Sequence, residues 1–222
     1  LLMNACHELK AVIWDLDGTI IDSQKQHFTS VQKVFQNHGF SYEKLNSKPN
    51  YGKTSLEVFQ TLLGRDYDRG KILEMIEEKE KIYRSLIVNE AEFLPGVESC
   101  LKLFKGMGLK QAIASSTSLD NIKAVISALD ANPYFAHLVS GEGLPSKPSP
   151  LLFLLTASKL GEAPSSCLVI EDSPFGVKGA KAAGMKCLAV PSFYRTNDLG
   201  DADLILHSLE ELNIRDICAL FS

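Results

Sequence analysis

The 222-residue chain carries a formal charge of −4 and is 45% hydrophobic, enough apolar material for one large domain or for a medium one with a smaller insertion. No cluster of Lys and Arg supplies the positive charge that phosphate-backbone binding needs, which excludes nucleic acid as the expected partner and points to a small molecule. No apolar stretch approaches the roughly 20 residues of a membrane span, and Leu1 to Lys10 lacks a basic end followed by an apolar core, so no membrane partner is expected either.

In chain order, Ala11-Val12-Ile13-Trp14 is a short apolar run rich in β-branched and aromatic residues, a buried strand that ends in Asp15-Leu16-Asp17-Gly18-Thr19. Ile20-Ile21-Asp22-Ser23 leads into a helical pattern from His27 to His38, with Phe28, Val31, Val34 and Phe35 on one face and Gly39 as the stop. Asn46 to Lys53 is a polar loop, and Ser55 to Leu63 and Lys71 to Leu86 read as helices. Phe93-Leu94-Pro95-Gly96 breaks this pattern. From there helices at Val97 to Lys105, Leu119 to Leu129, Leu151 to Leu160 and Phe175 to Ala183 alternate with strands at Lys110 to Ala114, His137 to Ser140, Leu168 to Ile170 and Lys186 to Val190, and Leu204 to Leu206 is a last strand. Ser149-Pro150 and Ser173-Pro174 each place a capping hydroxyl before a first-turn proline, and Gly161 and Gly184 close the same two helices. The expected architecture is α/β: a Rossmann-like parallel-sheet core of residues 1–22 and 96–222, with an all-helical cap, residues 23–95, inserted after the first strand.

The five cysteines, Cys6, Cys100, Cys167, Cys187 and Cys218, are scattered without metal-type pairs, which predicts free thiols and a cytoplasmic location. Cys167 and Cys187 open apolar runs and read as core filler.

In open parallel sheets ligands bind beyond the carboxyl ends of the strands. The residues that follow strands here are Asp15 and Asp17, then Ser115, Ser116 and Thr117, then Glu171 and Asp172. Carboxylates converging on one edge repel unless a cation sits among them, and oxygen ligands without a histidine or thiol cluster suggest Mg²⁺ rather than zinc. Lys147, in Ser146-Lys147-Pro148-Ser149-Pro150, suits an anionic substrate. Singly, each part has a plain alternative: solvated loop charges, or a hydroxyl run that caps a helix. Together they describe a site.

These residues resemble the motifs of the haloacid dehalogenase superfamily, in the helical-cap branch of phosphoglycolate phosphatases and β-phosphoglucomutases. The first motif is Asp15-Leu16-Asp17-Gly18-Thr19, the second Ser115, the third Lys147-Pro148 and the fourth Glu171-Asp172-Ser173-Pro174-Phe175-Gly176. The resemblance implies that Asp15 is the nucleophile that forms an aspartyl-phosphate and that Asp17 is the general acid and base, partnered by Thr19. It implies Mg²⁺ held by Asp15, Asp172, Glu171 and the Asp17 carbonyl, and phosphoryl binding by Ser115, Ser116 and Lys147. Leu151 stands where the family commonly has an aspartate.

The second acid argues for phosphoryl chemistry over dehalogenation, because a halide leaving group needs no proton. Transporting ATPases of the superfamily carry a lysine after the nucleophile and long apolar segments, both absent here. A phosphonatase needs a cap amine; Lys53 and Lys79 read as solvated charges instead. Between phosphatase and mutase, this chain resembles the mutases at Asp22, His27 and loosely Lys79. It lacks their cap-loop arginine, offering Asn50-Tyr51-Gly52-Lys53-Thr54 in its place. His27 reads as a helix-surface residue, so hydrolysis of a small phosphorylated metabolite by a monomer is expected, with His27, Lys53 and Lys79 as candidate substrate-selecting residues. The alternatives are a phosphosugar mutase and a catalytically silent phospho-ligand binder.

Overall fold

The computed structural model describes residues 8–41 and 54–222. Strand β1 (Ala11–Trp14) is followed by helices α1 (Gln24–Asn37), α2 (Ser55–Leu63) and α3 (Arg69–Glu90). The chain then runs α4 (Val97–Gly106), β2 (Lys110–Ser115), α5 (Leu119–Ala128), β3 (His137–Ser140), α6 (Leu151–Leu160), β4 (Cys167–Glu171), α7 (Pro174–Ala182), β5 (Lys186–Ala189), β6 (Leu204–Ile205) and α8 (Ile214–Ala219). The strands form one parallel sheet in the order β3-β2-β1-β4-β5-β6. The order reverses between β1 and β4, and at such a switch point a crevice opens at the carboxyl ends.

Alternation along each strand divides the core into two layers. Val12, Trp14, Ile113, Leu168 and Ile170 face the layer made with α4, α5, α8 and the end of α3. Ala11, Ile13, Ala112, Ala114 and Val169 face the layer made with α6 and α7. The sheet is thus covered on both sides, which is why its strands read as near-continuous apolar runs. A third cluster, Val34, Phe35, Phe59, Ile72 and Met75, joins α1, α2 and α3 to one another. Helix α3 belongs to both bodies, since its Tyr83 and Ile87 pack in the sheet layer. The two chain crossings between them are paired: Ile21 bridges Phe93 in antiparallel fashion, and the Leu94 amide donates to the Ile20 carbonyl at 2.9 Å.

Several local expectations need correction. Phe28 is 44% exposed rather than part of the inward face of α1. Ser173 caps α7 through the Gly176 amide at 3.0 Å, but Pro150, not Ser149, occupies the N-cap position of α6, and Ser149 Oγ only receives the Leu151 amide at 3.4 Å. Helix α8, six residues long, is too short to carry a periodic signal. Cys100, Cys167 and Cys187 are buried free thiols, whereas Cys218 is disulfide-bonded, so not all five cysteines are free as expected. Spacing along the chain does not reveal which cysteines meet in space. Burial pushes the Cys100 and Cys167 thiols up to about 11, which keeps them protonated as core filler. No helix of the described residues is long and apolar enough to cross a membrane.

The return crossing generates a stability prediction. Gly96 has φ +81°, and a Cβ there would lie 2.3 Å from the Glu210 amide nitrogen and 2.4 Å from the Leu209 carbonyl carbon. Gly96→Ala combines left-handed strain with overlap against backbone that cannot swing aside, and should cost about 2–4 kcal/mol. Urea unfolding followed by circular dichroism measures it.

Candidate active site

The register of the sheet assembles the site. Trp14 pairs with Ile170, and the Asp15 amide extends the ladder by donating to the Ile170 carbonyl at 3.0 Å, so Asp15 emerges beside Glu171. Trp14 also pairs with Ile113, which brings the end of β2, Ser115, to the same edge. Asp15, Ser115, Lys147, Glu171 and Asp172 are all buried.

Lys147 binds them together. Its Nζ donates to Asp15 Oδ1 and to Glu171 Oε1, each at 2.5 Å, and lies 5.1 Å from the centre of the Phe153 ring. Burial opposes its charge, yet Asp15 and Glu171 together hold the ammonium above the usual lysine range. Glu171 Oε2 accepts three further bonds, from the Asp172 amide at 3.0 Å, the Ser173 amide at 2.9 Å and the Ser173 hydroxyl at 3.0 Å. This close seat depends on Gly176, where a Cβ would fall 1.8 Å from Glu171 Oε1. Glu171 therefore orients both Lys147 and the loop carrying Asp172.

One lysine does not balance three carboxylates. Asp15, Glu171 and Asp172 each offer an oxygen, all within 4.8 Å of one another. Asp172 Oδ2 is buried without a hydrogen-bond partner, and a Cβ on Gly18 would lie only 2.2 Å from it. Desolvation, reinforced by Glu171 and offset by Lys147, raises the Asp15 carboxyl to about 8; burial and its two acidic neighbours raise Asp172 well above the ordinary range. An all-oxygen cluster of three acids around one lysine, with an orphaned carboxyl oxygen and two carboxyls that burial alone disfavours as anions, fits a hard divalent cation such as Mg²⁺.

Asp17 turns the other way. Its Oδ1 accepts from the Ser23 hydroxyl at 2.5 Å and the Tyr83 hydroxyl at 3.4 Å, and lies 3.4 Å from His27 Nε2. Burial works against the charged form, but His27, Ser23 and Lys79 outweigh it and hold the Asp17 carboxyl below the usual range. Thr19, expected to support this acid, instead has a buried hydroxyl with no partner, because donors from α3 and the start of α1 reach Asp17 in its place. The Asp17 carboxylate is not among the three that converge.

His27 and Lys79 also differ from expectation. His27 is not a plain surface residue: its ring stacks on Tyr83 with centroids 4.2 Å apart, its Nε2 faces Asp17, and its Nδ1 lies 3.0 Å from Lys79 Nζ. Lys79 is 3% exposed rather than solvated. Its place in the buried series Ile72, Met75, Lys79, Tyr83, Ile87 on α3 is a signal visible in the sequence, a charge on an apolar helical stripe. Lys53, Tyr51 and the rest of the loop from 46 to 53 lie outside the described residues. Ser23, Tyr83, Glu80 and Asn121 carry no signal of their own in the sequence and enter the site only through packing between elements. Ser115 Oγ accepts from the Thr117 amide at 3.3 Å, and Ser116 follows it on the same edge.

A parallel sheet of this order covered by helices on both faces, with acids beyond its two central strands and a lysine between them, defines a doubly wound α/β protein with its candidate site at the switch point. The family model for haloacid dehalogenase-like hydrolases matches residues 12–190, and the chain belongs to that family. It is 31% identical over 220 residues to hexitol phosphatase B of Escherichia coli K12, covering 97% of this chain and 99% of that protein. It is 31% identical over 210 residues to protein CbbY of Rhodobacter capsulatus, covering 88% and 92%. Among solved structures it is similar to a β-phosphoglucomutase from Clostridium difficile, with a TM-score of 0.85 at 27% identity over 96% of this chain and 97% of that one.

The raised Asp15 carboxyl sets a pH dependence. The folded chain holds a proton that the unfolded chain, with an ordinary value of 3.8, releases, so stability present below about pH 4 is lost as pH rises through about 8. The metal-free protein should melt at a lower temperature at pH 8 than at pH 5. Mg²⁺ at a hundredfold excess over its Kd should raise the melting temperature at pH 8 by about 5–10 °C, and by less at pH 5. Scanning calorimetry at both pH values, with and without Mg²⁺, checks both statements.

Proposed function

We propose that the chain is a Mg²⁺-dependent phosphatase that hydrolyses a small phosphorylated metabolite through an aspartyl-phosphate, and that residues 1–22 and 96–222 form its catalytic core while residues 23–95 form a cap. The observation that carries the reading is the pairing of two differently treated acids at the end of β1. Asp15 is buried on Lys147 among the convergent carboxylates, and Asp17 is held apart by hydroxyls and a histidine.

An Asp15 oxygen attacks phosphorus, the bond from phosphorus to the ester oxygen breaks, and Asp17 delivers a proton to the departing oxygen. Water then attacks the aspartyl-phosphate as Asp17 takes its proton back, which frees Asp15 and releases phosphate. Lys147, Ser115 and Ser116 hold the phosphoryl oxygens, where fixed charge and dipoles match the charge that develops in transfer. Asp15, Asp172, Glu171 and the Asp17 carbonyl would hold Mg²⁺, which when bound neutralises charge between the carboxylates and the phosphoryl group. Because relatives include a hexitol phosphatase and a CbbY protein crystallised with xylulose-1,5-bisphosphate, a sugar or polyol phosphate is the favoured substrate class.

Hydrolysis of p-nitrophenyl phosphate should require Mg²⁺, cease in EDTA and fall by about 1,000-fold or more in Asp15→Asn. No hydrolysis under any condition would leave the silent binder as the better reading.

A second reading, phosphosugar mutase, is favoured by one observation, the contact of Asp17 with His27 and of His27 with Lys79. Supplied with β-glucose 1-phosphate and a bisphosphate activator, the chain should release free phosphate. Glucose 6-phosphate formed without free phosphate would make the mutase reading the correct one.

A further inference from the structure

Beyond the catalytic carboxylates, the described residues contain a second buried charge cluster, centred on Glu80. It sits on α3 one residue after Lys79 and is 8% exposed. Lys79 Nζ donates to both of its carboxylate oxygens at 3.0 Å. The Ser55 hydroxyl at the start of α2 donates to Oε1 at 2.6 Å, and Asn121 Nδ2 on α5 donates to Oε2 at 2.5 Å. Asn121 is wholly buried and fully engaged, with Nδ2 also 2.9 Å from Thr117 Oγ1 and Oδ1 accepting from Arg84 Nη1 at 3.0 Å. Glu80 thus ties α2 and α3 to α5 and, through Asn121, to Thr117 in the loop after β2, just beyond Ser115 and Ser116.

The hydrogen-bond directions pass this tie on to the reacting groups. A lysine ammonium has donors only, so Lys79 can meet His27 Nδ1 only as a donor to it. That leaves the imidazole proton on Nε2, the nitrogen that faces Asp17 at 3.4 Å. The remaining Lys79 donors are taken by Glu80, which fixes where the ammonium stands.

We propose that Glu80, clamped by Asn121, is a positioning residue for the general acid: it places Lys79 so that His27 presents a proton donor to Asp17 when the helices of residues 23–95 are seated on the sheet layer. Glu80 touches no reacting atom and acts through Lys79 and His27. The assignment rests on the phosphatase reading above and on Asp17 as the group that protonates the leaving oxygen.

The test exploits the leaving group. p-Nitrophenolate departs without a proton, whereas the alkoxide of a sugar or polyol phosphate does not, and kcat/KM reports the steps up to ester cleavage. In Glu80→Gln, kcat/KM should fall about 10- to 100-fold for whichever of a hexitol phosphate and fructose 1-phosphate the unsubstituted chain cleaves faster, and less than about threefold for p-nitrophenyl phosphate. Asn121→Ala, which removes the clamp without touching a charge, should show the same asymmetry in smaller measure. Equal losses for the two ester types in both variants, or no loss in either, overturns the assignment and leaves the phosphatase reading intact. Failure of the unsubstituted chain to cleave any of these esters overturns the phosphatase reading and this assignment with it.

Discussion

The site depends on one buried cation. Lys147 is the single positive group set between Asp15 and Glu171, 2.5 Å from each, in a place from which water is almost excluded. A buried carboxylate without such a partner is costly enough to take up a proton instead. Everything around Lys147 is arranged to keep it there: Phe153 lies beneath its Nζ, and the far oxygen of Glu171 is anchored by the turn that opens α7. One ammonium does not satisfy three acids: Asp172 Oδ2 keeps no hydrogen-bond partner, and the three offer oxygens within 4.8 Å of one another, a donor set that fits a hard divalent cation.

The two acids of the first motif show how a two-residue offset separates two chemical environments. Asp15 continues the line of β1 into the crevice, so burial and neighbouring acids dominate it. Asp17 follows after the chain has begun to turn, and donors from α1 and α3 reach it. Burial and neighbouring acids raise the Asp15 carboxyl, whereas at Asp17 burial is outweighed by His27, Ser23 and Lys79, so the two are driven in opposite directions from the same ordinary value.

Much of the fold was legible because parallel strands buried on both faces are written as compact apolar runs, and because the residues directly after them stand at the ligand-binding edge whatever the helices do. Asp15, Glu171 and Asp172 are legible on that rule, and Lys147 from its place just ahead of a helix start and the motif resemblance; the structure brings the four together. What escaped depended on packing between elements distant in sequence. Nothing near His27 says that Tyr83 will stack on it, or that Lys79, on another helix, will reach its ring. Lys79 reads as solvated because charges on helices mostly are, although its spacing from Met75 and Tyr83 places it on the buried stripe. Thr19 was misread for the opposite reason: the motif suggested a partner for Asp17, but its hydroxyl is orphaned once Ser23 and Tyr83 arrive.

The pairing of Ile21 with Phe93 bears on how such a chain changes over evolutionary time. Because departure and return lie side by side, the sheet experiences the whole intervening segment as it would a hairpin. The entropy of closing a loop whose ends already meet rises only slowly with the length enclosed. Segments of quite different size and sequence can therefore occupy this position without disturbing the strand ends.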